Sequence, residues 1–170
     1  MRAQEFITEL RNRGLFRMVK QILPTWPDYV LKDWVCNHMR APVLAGDVHN
    51  INKEYVLNMI ADNGLKPDTK WTYNPKQQFT MDMFTPTTKL RLQQRAGGRP
   101  PVGFTVPDDA MRHATQAAFA QRQGGVRSEP VILIKRADGY ELLEGWHRTI
   151  QHFASFPQGY VGPAYIGIGT

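Results

Sequence analysis

A chain of 170 residues with 42% hydrophobic and 11% aromatic content can bury a core, which excludes a wholly disordered protein. Its one cysteine, Cys36, cannot close an internal disulfide and reads as a small buried hydrophobe in a reducing compartment. The net charge of +6 sits in residues 1–100, which carry 15 Lys/Arg against 9 Asp/Glu, whereas residues 101–170 carry 6 of each.

That bias fits a polyanionic partner, nucleic acid first, or else a generically basic solvated surface. No Cys/His spacing suits zinc, so no metal site is expected from clustered ligands. No basic-then-apolar leader pattern opens the chain, and no apolar run approaches the roughly 20 residues that cross a bilayer. The expectation is a soluble cytoplasmic protein with no membrane partner.

Along the chain, Phe6, Ile7, Leu10, Leu15, Phe16, Val19 and Ile22 recur at near-helical spacing and predict a helix over 3–23, stopped by Pro24 and Pro27. A second helix is expected over 28–39 and a third over 51–62, with Asn63-Gly64 as its stop. Trp26, Trp34 and Trp71 read as core of this helical part. Lys66-Pro67-Asp68 and Tyr73-Asn74-Pro75 are turn signals, and Gln78 to Phe84 reads as a short strand. Thr85-Pro86-Thr87-Thr88 introduces the basic stretch Lys89 to Arg95, and Gly97 to Pro101 reads as a linker or loop.

Beyond the linker, Val102 to Val106 is a candidate strand, and Pro107-Asp108-Asp109 starts a helix running to about Arg122. Pro130 to Arg136 holds the apolar run of a central strand. Ala137-Asp138-Gly139 turns it into a returning strand over Tyr140 to Leu143. A helix follows over Trp146 to Ala154, then a turn-rich link over Phe156 to Pro163 and a closing strand over Ala164 to Ile168. The fold class is α+β: a small mixed sheet with flanking helices (101–170), preceded by a mainly helical basic extension (1–100).

The chemistry concentrates in Glu144-Gly145-Trp146-His147-Arg148-Thr149. A strand that runs through glycine straight into a helix leaves the first helical amides without intrahelical partners, at the positive end of the helix dipole. An anion fits there, and glycine lets it approach the backbone. His147, Arg148 and Thr149 add donors, with Arg148 able to grip phosphate oxygens as a fork. Glu144, just before the anion, would accept a proton or hold magnesium. Trp146 reads as core or pocket wall before base-stacking platform.

Residues 129–153, EPVILIKRADGYELLEGWHRTIQHF, resemble the core of the ParB/sulfiredoxin superfamily, and the resemblance extends over roughly 104–170. That core carries a helix, a strand opened by a polar residue and proline, a hairpin, and a helix with a Gly-x-x-Arg motif. Trp146 stands where sulfiredoxin has its reactive cysteine, so sulfiredoxin activity is not expected. Trp146 and His147 depart from the Gly-Glu-Arg-Arg of ParB, and no helix-turn-helix follows, so chromosome segregation is not expected either. The acidic-Gly-x-His-Arg pattern is most similar to the superfamily's kinase branch. That branch includes a free-serine kinase and kinases proposed to phosphorylate hydroxymethylated bases in bacteriophage DNA.

The resemblance implies ATP or another nucleoside triphosphate with Mg2+ as cofactors and Glu144 as the catalytic carboxylate. It implies Gly145, His147, Arg148, Thr149, Arg112 and Thr115 as nucleotide-phosphate ligands. The basic segment with Lys89, Arg91, Arg95 and Arg99 is the candidate DNA contact, or alternatively a solvated face. The leading expectation is a phosphotransferase with a hydroxyl acceptor. The alternatives are a ParB-like nucleotide- and DNA-binding module without chemistry, and a ParB-like nuclease.

Overall fold

The computed structural model describes residues 3–39, 52–96 and 129–169. The linker at 97–101, the strand at 102–106, the helix starting at 107–109, Arg99, Arg112 and Thr115 lie outside the described residues. So does the boundary placed at 100. Contacts divide the chain into two compact units, Met1–Trp71 with Ile168–Thr170, and Thr72–Gly167. Among the described residues no helix is long and apolar enough to cross a membrane.

In the first unit, the apolar spacing forms α1 (Ala3–Ile22), which the two following prolines end. Helix α2 (Asp28–Val30) passes directly into a π-helical turn (Leu31–Val35) and continues through 36–39. Helix α3 (Lys53–Asp62) is capped by Asn52, whose side-chain oxygen accepts from the Tyr55 amide at 2.9 Å. It stops at Asn63-Gly64, where the Leu65 amide reaches back to the Ile60 carbonyl at 3.0 Å.

The core of this unit is built around tryptophan. Trp26 stacks on Trp34 at 6.2 Å and meets Trp71 edge-on at 5.0 Å. The Trp26 indole N–H is satisfied by the Pro67 carbonyl at 3.0 Å, which ties the 66–69 turn to the helices.

The second unit carries most of a four-stranded sheet ordered β1-β4-β2-β3, made of β1 (Trp71–Phe79), β2 (Val131–Arg136), β3 (Gly139–Glu144) and β4 (Tyr160–Ile168). The chain is thus mixed α+β, a small sheet with flanking helices. Helix α4 (Pro86–Ala96) holds the basic stretch, and α5 (Trp146–Ser155) holds the motif. Phe79, Phe84, Leu92, Leu133, Leu142 and Ile150 lie in one buried cluster joining sheet and helices. Val131 to Ile134 are all buried, as a continuous apolar run demands.

Two expectations are corrected. Tyr73-Asn74-Pro75 is not a turn but the middle of β1, and the strand ends at Phe79, ahead of a 3-10 turn over Met81–Met83. Strand β1 is at the sheet edge, where proline's missing N–H costs no ladder bond, and the Asn74 side chain accepts from the Lys76 amide at 3.0 Å. Strand β4 starts at Tyr160, four residues earlier than expected. Pairing overrides turn composition there: Tyr160 stacks flat on Phe79 at 4.7 Å, and Tyr165 meets Tyr73 at 4.9 Å.

Two contacts fix where α4 begins. The Thr85 amide donates to the Tyr140 carbonyl at 2.9 Å, and the Thr85 hydroxyl accepts from the Thr88 amide at 3.3 Å as the helix cap, with Pro86 in the first turn. Gly139 at φ 133° lets the β2–β3 turn close on this segment, since a Cβ there would stand 2.7 Å from the Met83 carbonyl oxygen. Thr85→Ala is expected to cost about 1 kcal/mol, within the roughly 0.5–2 kcal/mol of lost caps, while Thr85→Ser retains most of it. Urea denaturation of both variants checks this.

Candidate functional site

The strand-to-helix junction is built by a bulge followed by a glycine. In the antiparallel β2–β3 pair Leu133 faces Leu142, but Ile132 faces Glu144, so Leu143 is the extra residue. The bulge puts Glu144 opposite Ile132, on the sheet face away from Leu133 and Leu142. Glu144 is half-buried there, at the last position of β3.

Gly145 follows with φ 98° and ψ 23°, a left-handed conformation that L side chains rarely adopt. A Cβ at this position would stand 2.7 Å from a Val131 methyl. The residue is the N-cap of α5 and offers no side-chain cap, and no acidic side chain lies in the first turn of that helix. The dipole's positive end is therefore not offset by an acid of its own helix.

Arg148 is only 11% exposed at its side chain. Its Nη1 donates to the Glu129 and Pro130 carbonyls, both at 3.0 Å, and lies 3.6 Å from the Glu129 carboxylate. Its other terminal nitrogen is 3.5 Å from where a Gly145 Cβ would sit. The guanidinium is thus clamped between the start of β2 and the glycine turn. His147 is half-buried with Nδ1 turned inward.

Thr149, expected among the phosphate ligands, is fully buried. Its hydroxyl and its amide both donate to the Gly145 carbonyl at 2.9 Å, so its polar groups hold the turn from inside the helix.

Behind this layer stands a polar pair that no motif or spacing announces. His152 meets the Tyr160 ring edge-on at 4.6 Å. Burial, and after it the Arg148 charge, holds the His152 imidazole below its usual range. Burial pushes the Tyr160 phenol far up, against smaller opposing effects of the Thr149 hydroxyl and Arg148. Two aromatic-rich turns of sequence gave no hint that their polar atoms would share one interior.

Of the basic segment, Lys89 is paired with Asp82 at 2.5 Å, and this partner lowers the Asp82 carboxyl below its usual range. Arg91 is exposed and, with Thr87, Arg136, Asp138, Glu141 and Trp146, lines a cleft of about 250 Å³. The structure therefore brings Arg91 and the motif residue Trp146 to one cavity. Arg95 is in the last turn of α4. Comparison with protein-family models, curated proteins and solved structures finds no match.

Gly145→Ala is expected to destabilise the chain by about 1–3 kcal/mol through backbone strain, with the Val131 clash in addition. Pairing it with Val131→Ala should relieve the clash and leave the strain, as read by denaturant unfolding. His152 sets a pH dependence. Its imidazole takes a proton in the unfolded chain at about pH 6.5 but resists it in the fold. Stability is therefore complete above that pH and falls as pH drops below it towards the depressed folded value, by at most about 1.4 kcal/mol per pH unit. Comparing unfolding between pH 5 and 8 in wild type and His152→Phe checks it, the variant being expected to lose this slope.

Proposed function

We propose that this chain is a ParB/sulfiredoxin-like phosphotransferase that uses ATP or another nucleoside triphosphate with Mg2+ and a hydroxyl acceptor, a hydroxymethylated base in DNA being the leading acceptor. One observation carries the reading: an obligatory left-handed glycine opens α5 without a side-chain cap, with the Arg148 guanidinium fixed beside it. The residues fit a triphosphate in that the turn offers helix-start amides and a fixed positive charge, and they fit a transferring site in that a carboxylate immediately precedes the turn.

In this reading the amides at the start of α5 and Arg148 hold the phosphates, and His147 adds a donor at their edge. Magnesium, when bound, would neutralise charge on the transferring group, and Glu144 is the carboxylate that would help to hold it if it does not act as the base. Glu144 takes the proton of the acceptor hydroxyl as its oxygen bonds to the γ-phosphorus. The bond from that phosphorus to the leaving diphosphate breaks in the same event.

A second reading is a nucleotide- and DNA-binding module without chemistry, which uses the same Gly145 turn and Arg148 clamp and asks nothing of Glu144. Calorimetric titration with ATP and magnesium, followed by a phosphate-transfer assay on DNA containing hydroxymethylated bases, separates the two. Glu144→Gln is expected to reduce transfer by roughly 100- to 10,000-fold while ATP affinity stays near wild type. A wild type that binds ATP but never transfers phosphate leaves the binding module, and a wild type that does not bind ATP removes both readings.

A further inference from the structure

The cleft beside the motif has a composition that selects its occupant. Trp146 is partly buried, packs against the buried cluster of the second unit and also lines the cleft. An aromatic wall of this kind takes the face of a planar ring. Arg136 is held by Glu141 at 2.5 Å, so these two charges largely answer each other. That leaves Arg91 and Asp138, both exposed, as the cation and the acid presented to an incoming ligand.

Arg91 and the exposed Thr87 lie on the first two turns of α4, a helix with no acidic side chain in its first turn. A single phosphate there meets a guanidinium, a hydroxyl and a favourable dipole. Asp138 stands on the β2–β3 turn, where its carboxylate would accept from ring N–H groups. The balance of two arginines against two acids disfavours a run of phosphates inside the cleft. Its volume of about 250 Å³ is also below the roughly 300–1,000 Å³ of drug-sized sites, which leaves room for one nucleoside-sized group.

We propose that this cleft binds one nucleotide unit, with the base against the Trp146 indole, its N–H edge towards Asp138, and its phosphate on Arg91 and Thr87. The assignment deepens the phosphotransferase reading by naming the pocket that holds the acceptor. Only the role as acceptor rests on that reading, since binding to the cleft does not require ATP.

The test is calorimetric titration of the full chain, without ATP, using thymidine 5′-monophosphate, thymidine, and a short single-stranded oligothymidylate. Saturable binding of the monophosphate, weaker for thymidine, is expected. Trp146→Leu should weaken it roughly 5- to 150-fold, the equivalent of about 1–3 kcal/mol of stacking. Arg91→Ala, at an exposed position where folding is not at stake, should weaken it roughly tenfold or more, with little effect on thymidine. Tighter binding of the oligothymidylate than of the monophosphate identifies a DNA strand as the source of the nucleotide, and the reverse order identifies a free nucleotide.

No saturable binding of either nucleotide form overturns the proposal, as does binding that both variants leave unchanged. ATP titrated separately keeps the two readings apart. Loss of affinity for ATP and monophosphate together in Arg91→Ala would make the cleft part of the ATP site and overturn the acceptor assignment. Monophosphate binding that persists in a protein unable to bind ATP would remove only the phosphotransferase reading.

Discussion

The second unit depends on the reversal at Gly145, where a strand becomes a helix within one residue. A φ of 98° is accessible to glycine alone without strain, and Val131 fills the space where any side chain would go. The reversal is locked from the other side by Thr149, which brings two donors to the same Gly145 carbonyl. Because the turn is pinned between β2 and the interior of α5, the amides at the helix start point in a direction set by the sheet. A bulge one step earlier sets the side of the sheet from which Glu144 emerges.

Arg148 shows how one side chain can serve structure and electrostatics together. Its bonds to the Glu129 and Pro130 carbonyls satisfy backbone groups at the mouth of β2, where the ladder has not yet begun. The same guanidinium adds to the burial that disfavours a charged His152 and offsets part of what burial does to Tyr160. A charge fixed in this way loses no rotamer freedom when an anion arrives, which is the condition for preorganised binding.

The basic character of the first 100 residues is not equivalent from one side chain to the next. Lys89 is neutralised by Asp82, and Lys20 by Asp28 at 2.9 Å, whereas Arg91 faces a cavity. Exposed pairs of this sort contribute little to stability, but they remove cations from the surface field that a polyanion would meet. Net charge is therefore a poor guide here to which cations meet a ligand.

The sequence by itself determined the elements whose causes are local. Apolar periodicity placed α1, the helix over 28–39 and the one expected over 51–62, which forms over Lys53–Asp62; the run Val131 to Ile134 placed a buried strand, and Gly145 before Trp146 placed the strand-to-helix junction. Composition misled where pairing decides: Pro75 lies within β1 because an edge strand tolerates it, and Tyr160 opens β4 because Phe79 is there to stack on. The site was legible in its residue types but not in their directions. Only tertiary structure could bury Thr149, clamp Arg148 on carbonyls 18 and 19 residues away, and set Arg91 and Trp146 around one cleft. Those outcomes depend on which groups lie close in space after folding, and no spacing along the chain encodes that.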